Sequence, residues 1–403
     1  MTDAMERRVT EGWSRFADKV VRAGRHDSLP ERGQFINAPV ARGSTVIFPS
    51  LAAMHAQGHR TYDHEVIYGA MGNPNQHLLE RLIAEIEGGS DCQAVCSGLT
   101  ACALPLLAFT EAGSHVLMSD AIYGPTRRFA KTMLRRFGVE TSFYPPMASK
   151  ETLQSLMRPE TRIIVAESPG SHSFEVQDVP MIADVAAAGQ AKLIVDNTWG
   201  LGIFQPFAHG AHISVQALTK YAGGHSDIIL GAVTVNARED WVKLRDAAIQ
   251  LGLCANPDES WLTLRGLRTL TVRLEKQALT AYRMARWLQS CAPVARVLHP
   301  ALEDCPGHDN WLRDFSGAGC LFGVALRPEI TDAAMRAMID RLKIFSIGAS
   351  WGGYESLVMP TSGGIVRDHT HHHQPGPAFR LQIGLEDPET LKEDLATAMA
   401  VLQ

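Results

Sequence analysis

The chain has 403 residues, of which 45% are hydrophobic and 20% charged, so it is long enough for two or three domains with large buried cores. Its formal net charge of -5 is small and no basic block occurs, which argues against nucleic-acid or anionic-membrane binding. The seven cysteines are scattered and odd in number, a pattern typical of reduced thiols rather than of a disulfide framework. Small molecules and other protein chains are the expected partners.

The first 25 residues carry charges throughout, and the chain has no apolar run of 18 residues. Neither a secretory signal nor a membrane-spanning helix is therefore expected, and we predict a cytoplasmic protein. Cys92 and Cys96 lie four residues apart without a second pair at zinc spacing. The histidine-rich tract at residues 368–377 is typical of a solvated loop, so no metal site is predicted.

Short apolar runs alternate with longer amphipathic ones from about residue 92 to residue 236. This alternation predicts βαβ units with right-handed crossovers and a mostly parallel sheet, in other words an α/β fold. Ligands of such sheets bind at the carboxyl ends of the strands. The runs predicted as strands are CQAVCSG, HVLMSD, VETSFY, RIIVAES, KLIVDNT, ISVQALT and DIILGAVTV.

Three regions follow from the distribution of these patterns. Residues 1–72 are irregular and rich in Gly, Pro and polar residues, which predicts an extended N-terminal arm that reaches another subunit. Residues 73–268 form the large domain with the parallel sheet, and residues 269–403 a smaller C-terminal α/β domain. The strand-like runs of the smaller domain are VARVLHP, GCLFGVALR and AFRLQIGLE, with helices predicted near 258–290, 331–343 and 388–401.

Lys220 follows the apolar run ISVQALT and precedes the Gly-rich segment YAGGHSD. An amine at the end of a buried strand is partly removed from water, which makes its neutral, nucleophilic form accessible. Asp196 ends the run KLIVD, so we expect it at the same edge of the sheet. The pair suggests a lysine that binds pyridoxal 5'-phosphate (PLP) and a carboxylate that keeps the cofactor's ring nitrogen protonated. A surface lysine and a helix-capping aspartate are the alternatives.

The segment CSGLTACALPLLAFT predicts a strand, a Gly turn and an apolar helix. The backbone N–H groups of Gly98 and Leu99 at the start of this helix favour a phosphate, although an ordinary βα turn has the same pattern. Tyr123 follows another strand and is expected either to pack in the core or to lie against a planar cofactor. Arg380 lies in a late apolar strand, where its guanidinium requires an anion, either a substrate carboxylate or an internal Asp or Glu.

Six segments between about Tyr68 and Asp387 resemble, in order and spacing, the Cys/Met-metabolism PLP enzymes of fold type I. Within that family the likeness is to the bacterial cystathionine β-lyases, since the γ-lyase and γ-synthase relatives usually have Asn and a further residue after Ser-Pro. The segments are ESPGS (167–171), VDNTW (195–199), QALTKYAGGHSD (216–227), RGLRTL (265–270), SWGGYESL (350–357) and RLQIGLED (380–387).

The resemblance implies the PLP-dependent transferase-like fold, with PLP bound in the large domain. It implies that Lys220 carries PLP covalently and acts on the substrate's protons, that Asp196 pairs with the pyridinium, and that Tyr123 stacks on the ring. It also implies a phosphate site. The residues of that site are Gly98, Leu99 and Thr219.

For the substrate, the resemblance implies that Arg380 and the region of Ser350 bind the α-carboxylate and that Trp351 shapes the pocket. Tyr68 is implied to come from a neighbouring subunit and to help deprotonate the incoming amine. The implied assembly is a homotetramer built from two active-site dimers. The implied reaction is the cleavage of L-cystathionine to homocysteine, pyruvate and ammonia by α,β-elimination.

The sequence departs from the family at three positions. The family's Tyr-x-Arg, whose arginine reaches the phosphate of the adjacent subunit, reads Tyr68-Gly69-Ala70 here, followed by Met71. Losing that charge-assisted pair is expected to cost about 2 kcal/mol, or about 30-fold in PLP affinity, unless Arg60 or another residue substitutes. Arg128 stands where the bacterial lyases have an acidic residue, which predicts a changed pocket for the far end of the substrate.

Other functions stay open at this level. A β-lyase or desulfhydrase for another cysteine S-conjugate, for cysteine or for cystine is favoured by Ala70, Met71 and Arg128. A γ-elimination or γ-replacement enzyme is disfavoured by ESPGS. A PLP-binding regulatory protein is disfavoured because Lys220, Asp196 and Arg380 are all present, although a shared fold does not guarantee a shared function.

Overall fold

The computed structural model describes residues 4–22, 35–58, 60–369 and 375–402. Its strands form two sheets, one of seven strands and one of five. The first sheet consists of β1 (Asp91–Val95), β2 (His115–Ser119), β3 (Glu140–Tyr144), β4 (Thr161–Glu167), β5 (Lys192–Asp196), β6 (Ile213–Gln216) and β7 (Gly231–Val235). The second consists of β8 (Val294–Leu298), β9 (Leu321–Leu326), β10 (Ser346–Ile347), β11 (Leu357–Pro360) and β12 (Ala378–Gln382).

The helices lie between these strands and at the two ends of the chain. They are α1 (Ala4–Thr10), α2 (Ala17–Arg22), α3 (Leu51–Gly58), α4 (Pro74–Glu87), α5 (Gly98–Ala108), α6 (Gly124–Phe129), α7 (Lys150–Leu156), α8 (Val179–Ala188), α9 (Arg238–Gln250), α10 (Pro257–Leu267), α11 (Leu270–Gln289), α12 (His308–Asp314), α13 (Asp332–Ile339) and α14 (Pro388–Met399). None of the helices in the described ranges combines the length and the apolar character needed to cross a bilayer.

The first sheet has the strand order β1-β7-β6-β5-β4-β2-β3. Strands β2 to β6 pair in parallel, which confirms the mostly parallel sheet expected from the sequence, and each of the seven predicted strands is present. Strand β7 runs antiparallel to both of its neighbours. Residues 217–230 join β6 to β7 without a helix, so the chain turns back beside β6 instead of crossing over the sheet.

Helix α4 shows how local sequence sets the element boundaries near the site. Asn73 caps the helix by accepting a hydrogen bond from the Gln76 N–H at 3.0 Å, and Pro74 occupies the first turn. Gly88 ends the helix with a φ of 78°, a left-handed conformation that glycine adopts without steric cost. A side-chain cap also starts α5, two residues after the end of β1, where Ser97 Oγ accepts the Thr100 N–H.

The second sheet is mostly antiparallel, in the order β10-β11-β12-β9-β8. Strands β8, β9 and β12 correspond to the three runs predicted from the sequence. The short strands β10 and β11 were not predicted, because they flank the Gly-rich segment SWGGYESL, where no alternation of apolar residues marks a strand. That segment brings residues 349–353 against the carboxyl edge of the first sheet.

Residues 4–22 are more regular than the irregular arm expected for residues 1–72. They are helical throughout and pack on α11, with Val9, Trp13 and Val20 fully buried. The Trp13 indole N–H donates to the Ala318 carbonyl at 3.0 Å. Burial of this apolar face stabilises the helical turns, which are too short to be stable alone. The boundaries 72/73 and 268/269 remain predictions.

Glu87, the last residue of α4, lies fully buried against the ends of β5 and β6. Its carboxylate accepts hydrogen bonds from Asn197 Nδ2 and Gln216 Nε2, each at 3.0 Å, and from Ser214 Oγ. Burial raises the pKa of Glu87 from its ordinary 4.5 to about 7, against the effect of these donors. This cluster fixes the strand ends on which the site is built.

The raised pKa of Glu87 makes stability depend on pH. The folded chain holds this proton more tightly than the unfolded chain, so the contribution is complete below pH 4.5 and is lost as pH rises through 7. We expect Glu87→Gln to remove this dependence. As pH rises from 4.5 to 7, the free energy of unfolding of wild type should fall by about 3 kcal/mol relative to that of the variant. Urea denaturation at fixed protein concentration, repeated across this pH range, measures the difference.

The control for this experiment is Glu85→Gln, which changes an exposed glutamate of α4 that pairs with Lys19 at 3.0 Å. Its pH dependence should follow wild type. Parallel curves for wild type and Glu87→Gln would contradict the raised pKa of Glu87.

Candidate active site

The carboxyl ends of the parallel strands form one wall of a cavity of about 310 Å³. Glu167 ends β4, Asp196 ends β5, and Lys220 lies in the turn after β6. The second sheet supplies the opposite wall. The residues expected from the sequence that line this cavity are Gly98, Leu99, Tyr123, Asp196, Thr219, Lys220, Trp351 and Arg380.

The amine of Lys220 points across the cavity to the second sheet. Its Nζ donates to Ser350 Oγ at 2.8 Å and lies 5.4 Å from the centre of the Trp351 ring. Burial and, to a smaller extent, the charge of the nearby Arg380 lower the pKa of Lys220 from 10.5 to about 8, while Asp196 opposes the shift. A substantial fraction of the amine is therefore neutral near physiological pH, as a nucleophile or general base requires.

Gly352 allows the loop of the second sheet to approach this lysine. Its φ is 88°, and a Cβ atom there would lie 3.0 Å from the Lys220 carbonyl carbon and from the Tyr221 backbone nitrogen. Any side chain at position 352 would push the loop away. Glycine thus permits the close packing of this loop on the backbone of Lys220.

Asp196 lies deep in the cavity and is held by its own turn. Its Oδ1 accepts hydrogen bonds from the Thr198 N–H at 3.1 Å and from Thr198 Oγ1 at 2.7 Å, and Cys102 Sγ lies 3.6 Å from Oδ2. Burial raises the pKa of Asp196, while the bonds from Thr198 and Cys102 and the charge of Lys220 lower it. A cationic ring nitrogen placed beside this carboxylate would stabilise its ionised form.

Glu167 stands beside Asp196, since the two residues are paired in the register of β4 and β5. Its carboxylate accepts the Tyr123 backbone N–H at 2.6 Å and the Ser171 hydroxyl. Burial, followed by the charge of Asp196, raises the pKa of Glu167 well above its usual range. Glu167 therefore holds the proton of this pair and fixes the backbone of Tyr123, while Asp196 supplies the negative charge.

The start of α5 forms an anion site at one end of the cavity. Ser97 Oγ accepts the Thr100 N–H at 3.1 Å, and the N–H groups of Gly98 and Leu99 have no acceptor among the described residues. A Cβ atom on Gly98 would lie 2.6 Å from Ala217 Cβ, so glycine is required for this approach. Free N–H groups at a helix N-terminus suit a phosphate.

Thr219 lies beside this anion site, but its hydroxyl is engaged within the protein. It accepts the Leu230 N–H at 3.0 Å and donates to the Leu230 carbonyl at 3.2 Å. This pair of bonds tethers the turn after β6 to the start of β7. Binding of a phosphate by the Thr219 hydroxyl stays a prediction. It would require this hydroxyl to donate to the phosphate instead of to the Leu230 carbonyl.

Arg380 lies in the middle of β12 with 8% of its surface exposed. Its guanidinium donates to the Ala349 carbonyl, and no carboxylate pairs with it within the described ranges. Burial lowers the pKa of Arg380 to about 10. Because this buried cation has no carboxylate partner among the described residues, it favours an anionic ligand in the cavity. A substrate carboxylate is such a ligand.

Tyr68 does not line this cavity in the protomer, and 51% of its surface is exposed. Its expected role in a neighbouring subunit stays a prediction. Arg60, the expected substitute for the missing phosphate arginine, pairs with Glu65 at 2.7 Å and with Asp63 at 3.5 Å. It would have to leave these exposed pairs, which are individually weak, to reach a phosphate.

Sequence reasoning missed several residues of the cavity. Glu167 ends a predicted strand inside the quoted segment ESPGS, so the rule that located Asp196 applies to it equally. Cys102 lies one turn after Gly98 on α5, and its thiol is marked only by helical spacing. His172 follows ESPGS in an irregular stretch with a φ of 63°, which no sequence pattern indicates.

One cluster outside the cavity contains metal-binding residue types. His64, His77 and Glu80 meet at the N-terminal half of α4. The Glu80 carboxylate already accepts bonds from His64 Nδ1 at 3.1 Å, Gln76 Nε2 at 2.8 Å and the Ala94 N–H at 2.9 Å. The carboxylate is thus satisfied by the fold itself, and the cluster serves to attach α4 to β1.

The cavity has the parts that a PLP site requires. An amine of lowered pKa, a buried carboxylate, an exposed aromatic ring at Tyr123 and a helix N-terminus with free N–H groups line one space. These residues fit PLP: Lys220 would attach it covalently, Asp196 would pair with its ring nitrogen, and the start of α5 would hold its phosphate. The fold and the site define a PLP-dependent enzyme of the α/β class.

Residues 18–400 match the model of the Cys/Met metabolism PLP-dependent enzymes, and the chain belongs to this family. A putative cystathionine β-lyase of Rhizobium johnstonii is 44% identical over 91% of either chain. A cystathionine β-lyase of Bordetella avium is 40% identical over 90% of this chain and 92% of its own length. An L-alanine/L-glutamate racemase of Wolbachia pipientis is 35% identical over 91% of this chain and 93% of its own length. Membership of the family therefore does not by itself determine the reaction.

Solved structures confirm the fold type. A cystathionine γ-synthase of Xanthomonas oryzae, in complex with aminoacrylate and cysteine, superimposes with a TM-score of 0.85. The alignment covers 96% of this chain and 98% of that one, at 27% identity. The predicted architecture, a large domain with a mostly parallel sheet followed by a smaller sheet domain, is confirmed by this likeness and by the two sheets.

The lowered pKa of Lys220 is testable in the cofactor-free protein. Acylation of Lys220, followed by mass spectrometry across pH, should show a midpoint near pH 8. Because Arg380 contributes to the lowering, Arg380→Gln should move the midpoint to higher pH. Arg327→Gln, which changes an exposed arginine just after β9, is the control and should leave it in place. An unchanged or lower midpoint in Arg380→Gln would refute the electrostatic coupling.

Proposed function

We propose that the chain is a carbon-sulfur β-lyase that cleaves L-cystathionine, with water, to homocysteine, pyruvate and ammonia. The observation that carries this proposal is the placement of a lysine amine of pKa about 8 between a buried carboxylate and a buried, unpaired arginine in one cavity. The names of the relatives and the segment ESPGS support elimination at the β-carbon.

Different residues of the chain bind the substrate's α-carboxylate and transfer its protons. Arg380 binds the α-carboxylate through its guanidinium, so the α-carbon faces the amine of Lys220. When bound, PLP supplies an acceptor for the electron pair of the α C–H bond. Lys220 takes the α-proton and returns a proton to the departing sulfur, while Asp196 holds the proton of the ring nitrogen.

The assembly that we propose is a homotetramer of active-site dimers in the cytoplasm, in which Tyr68 of one subunit reaches the cavity of another. Six large apolar side chains in the ranges 35–58 and 60–68 support an interface there, because their exposure is costly in water. These residues are Phe35, Ile36, Ile47, Leu51, Met54 and Tyr68. Light scattering of the purified protein measures the assembly directly.

The reaction is tested by pyruvate release from PLP-loaded protein given L-cystathionine, cysteine, cystine and other S-conjugates. Pyruvate from cystathionine supports the proposal. Pyruvate from another thiol donor alone would support β-elimination but show that the substrate is a different S-conjugate. Release of 2-oxobutanoate would indicate γ-elimination, and a racemised product without pyruvate would indicate racemase activity. Either of these last two results would overturn the proposal.

Lys220→Ala should lose pyruvate release by at least about a thousandfold, because both proton transfers and the covalent attachment depend on the amine. Arg380→Ala should lower kcat/KM by at least about 30-fold, mostly through KM, because it removes a charge-assisted bidentate contact. Steady-state kinetics on PLP-loaded protein measures both. A Lys220→Ala protein with the wild-type rate would refute the mechanism.

A further inference from the structure

A second cavity, of about 560 Å³, adjoins the active-site cavity. Tyr123, Ser171 and His172 line both, so the two spaces are continuous at these residues. We call the second space the side cavity. Its walls also include residues 120–125, 127, 128, 131, 132 and 364–366. A substituent that extends from the reacting centre past Tyr123 enters it.

The charges around the side cavity do not balance. Arg127 pairs with Asp120 at 2.8 Å and with Asp368 at 2.9 Å, and Lys131 pairs with Asp368 at 2.8 Å. Arg128 also lines the cavity and makes no ion pair with any residue of the described ranges. Three cations and Asp120 thus line the side cavity, and Asp368 pairs with two of these cations from outside the lining, so the excess positive charge belongs to Arg128.

The other groups of the side cavity add no charge. Burial and the nearby Arg380 lower the pKa of His172 to about 4, so its imidazole is neutral at physiological pH. Ile365 and Val366 give the opposite wall an apolar surface. A chain of a few methylene groups fits such a wall, and a terminal anion suits the free guanidinium beyond it.

We propose that the side cavity selects amino acids whose sulfur substituent ends in a carboxylate, and that Arg128 binds this carboxylate. The inference rests on the proposed β-lyase function and names the substrate class of the same site. A substituent that ends in an ammonium group alone meets an unbalanced positive charge and is disfavoured. Cystathionine, which carries both groups at its far end, is bound through its carboxylate.

Two S-conjugates of matched length test this selection. S-(2-carboxyethyl)-L-cysteine should have a higher kcat/KM than S-(2-aminoethyl)-L-cysteine, and Arg128→Asp should change the ratio by about 10- to 100-fold in favour of the amine. The two thiols leave at different intrinsic rates, which affects the ratio of kcat/KM values in every variant alike. The quantity to compare is therefore the change in this ratio between wild type and Arg128→Asp. Arg135→Gln, an exposed arginine that lines neither cavity, is the matched control and should leave the ratio unchanged.

Binding without turnover gives an independent measurement. L-2-aminoheptanedioate and L-lysine have a methylene group where these two substrates have sulfur, so neither can undergo the elimination. Calorimetry on the PLP-loaded protein should show tighter binding of the dicarboxylate, and Arg128→Asp should reverse this order. Equal affinities in wild type, or an order that Arg128→Asp leaves unchanged, would overturn the inference.

A neutral substrate separates the two proposals. Pyruvate from S-propyl-L-cysteine, which has no charged end, reports the elimination alone and should be affected less than threefold by Arg128→Asp. If no S-conjugate yields pyruvate, the β-lyase function fails, while calorimetry still decides the preference of the side cavity. If pyruvate forms but neither ratio responds to Arg128→Asp, only the role of Arg128 fails.

Discussion

The removal of the Lys220 amine from water is the constraint on which the site depends. The turn after β6 presents this residue, and the loop at residues 349–353 covers it from the second sheet, with Gly352 in contact with its backbone. The amine is neutral in part because burial disfavours its charged form, and Arg380 adds to that effect. The two sheets therefore act together, since each supplies one side of the enclosure.

A layer of buried polar side chains supports this arrangement from beneath. Glu87 connects α4 to the ends of β5 and β6, and Glu167 ties the end of β4 to the backbone of Tyr123. Burial raises the pKa of both carboxyls, so Glu87 titrates near pH 7 and Glu167 holds its proton beside the negative charge of Asp196. The N-terminal helices contribute from the far side, where Trp13 packs edge to face on Tyr221, next to Lys220.

Much of the fold follows from local patterns in the sequence. Runs such as KLIVD and RIIVAES are apolar on both faces, which only a strand covered on both sides tolerates, and all seven predicted strands of the first sheet are present. The rule that ligands bind at the carboxyl ends of parallel strands predicts, from sequence alone, that Lys220 and Asp196 lie at one edge of the sheet. The antiparallel direction of β7 was not foreseen, because apolar pattern carries no information about strand direction.

By itself, the sequence determined the class of fold, the family and the residues expected to carry PLP. These depend on periodicity and on short segments whose spacing is read along the chain. Only the tertiary structure decided that Glu167 lies buried beside Asp196 and has a raised pKa, that the helical residues 4–22 pack on α11, and that Arg128 is the unbalanced charge of the side cavity. Each of these depends on which distant residues become neighbours and on how much water remains between them, and both are fixed by packing between elements rather than by the pattern within one.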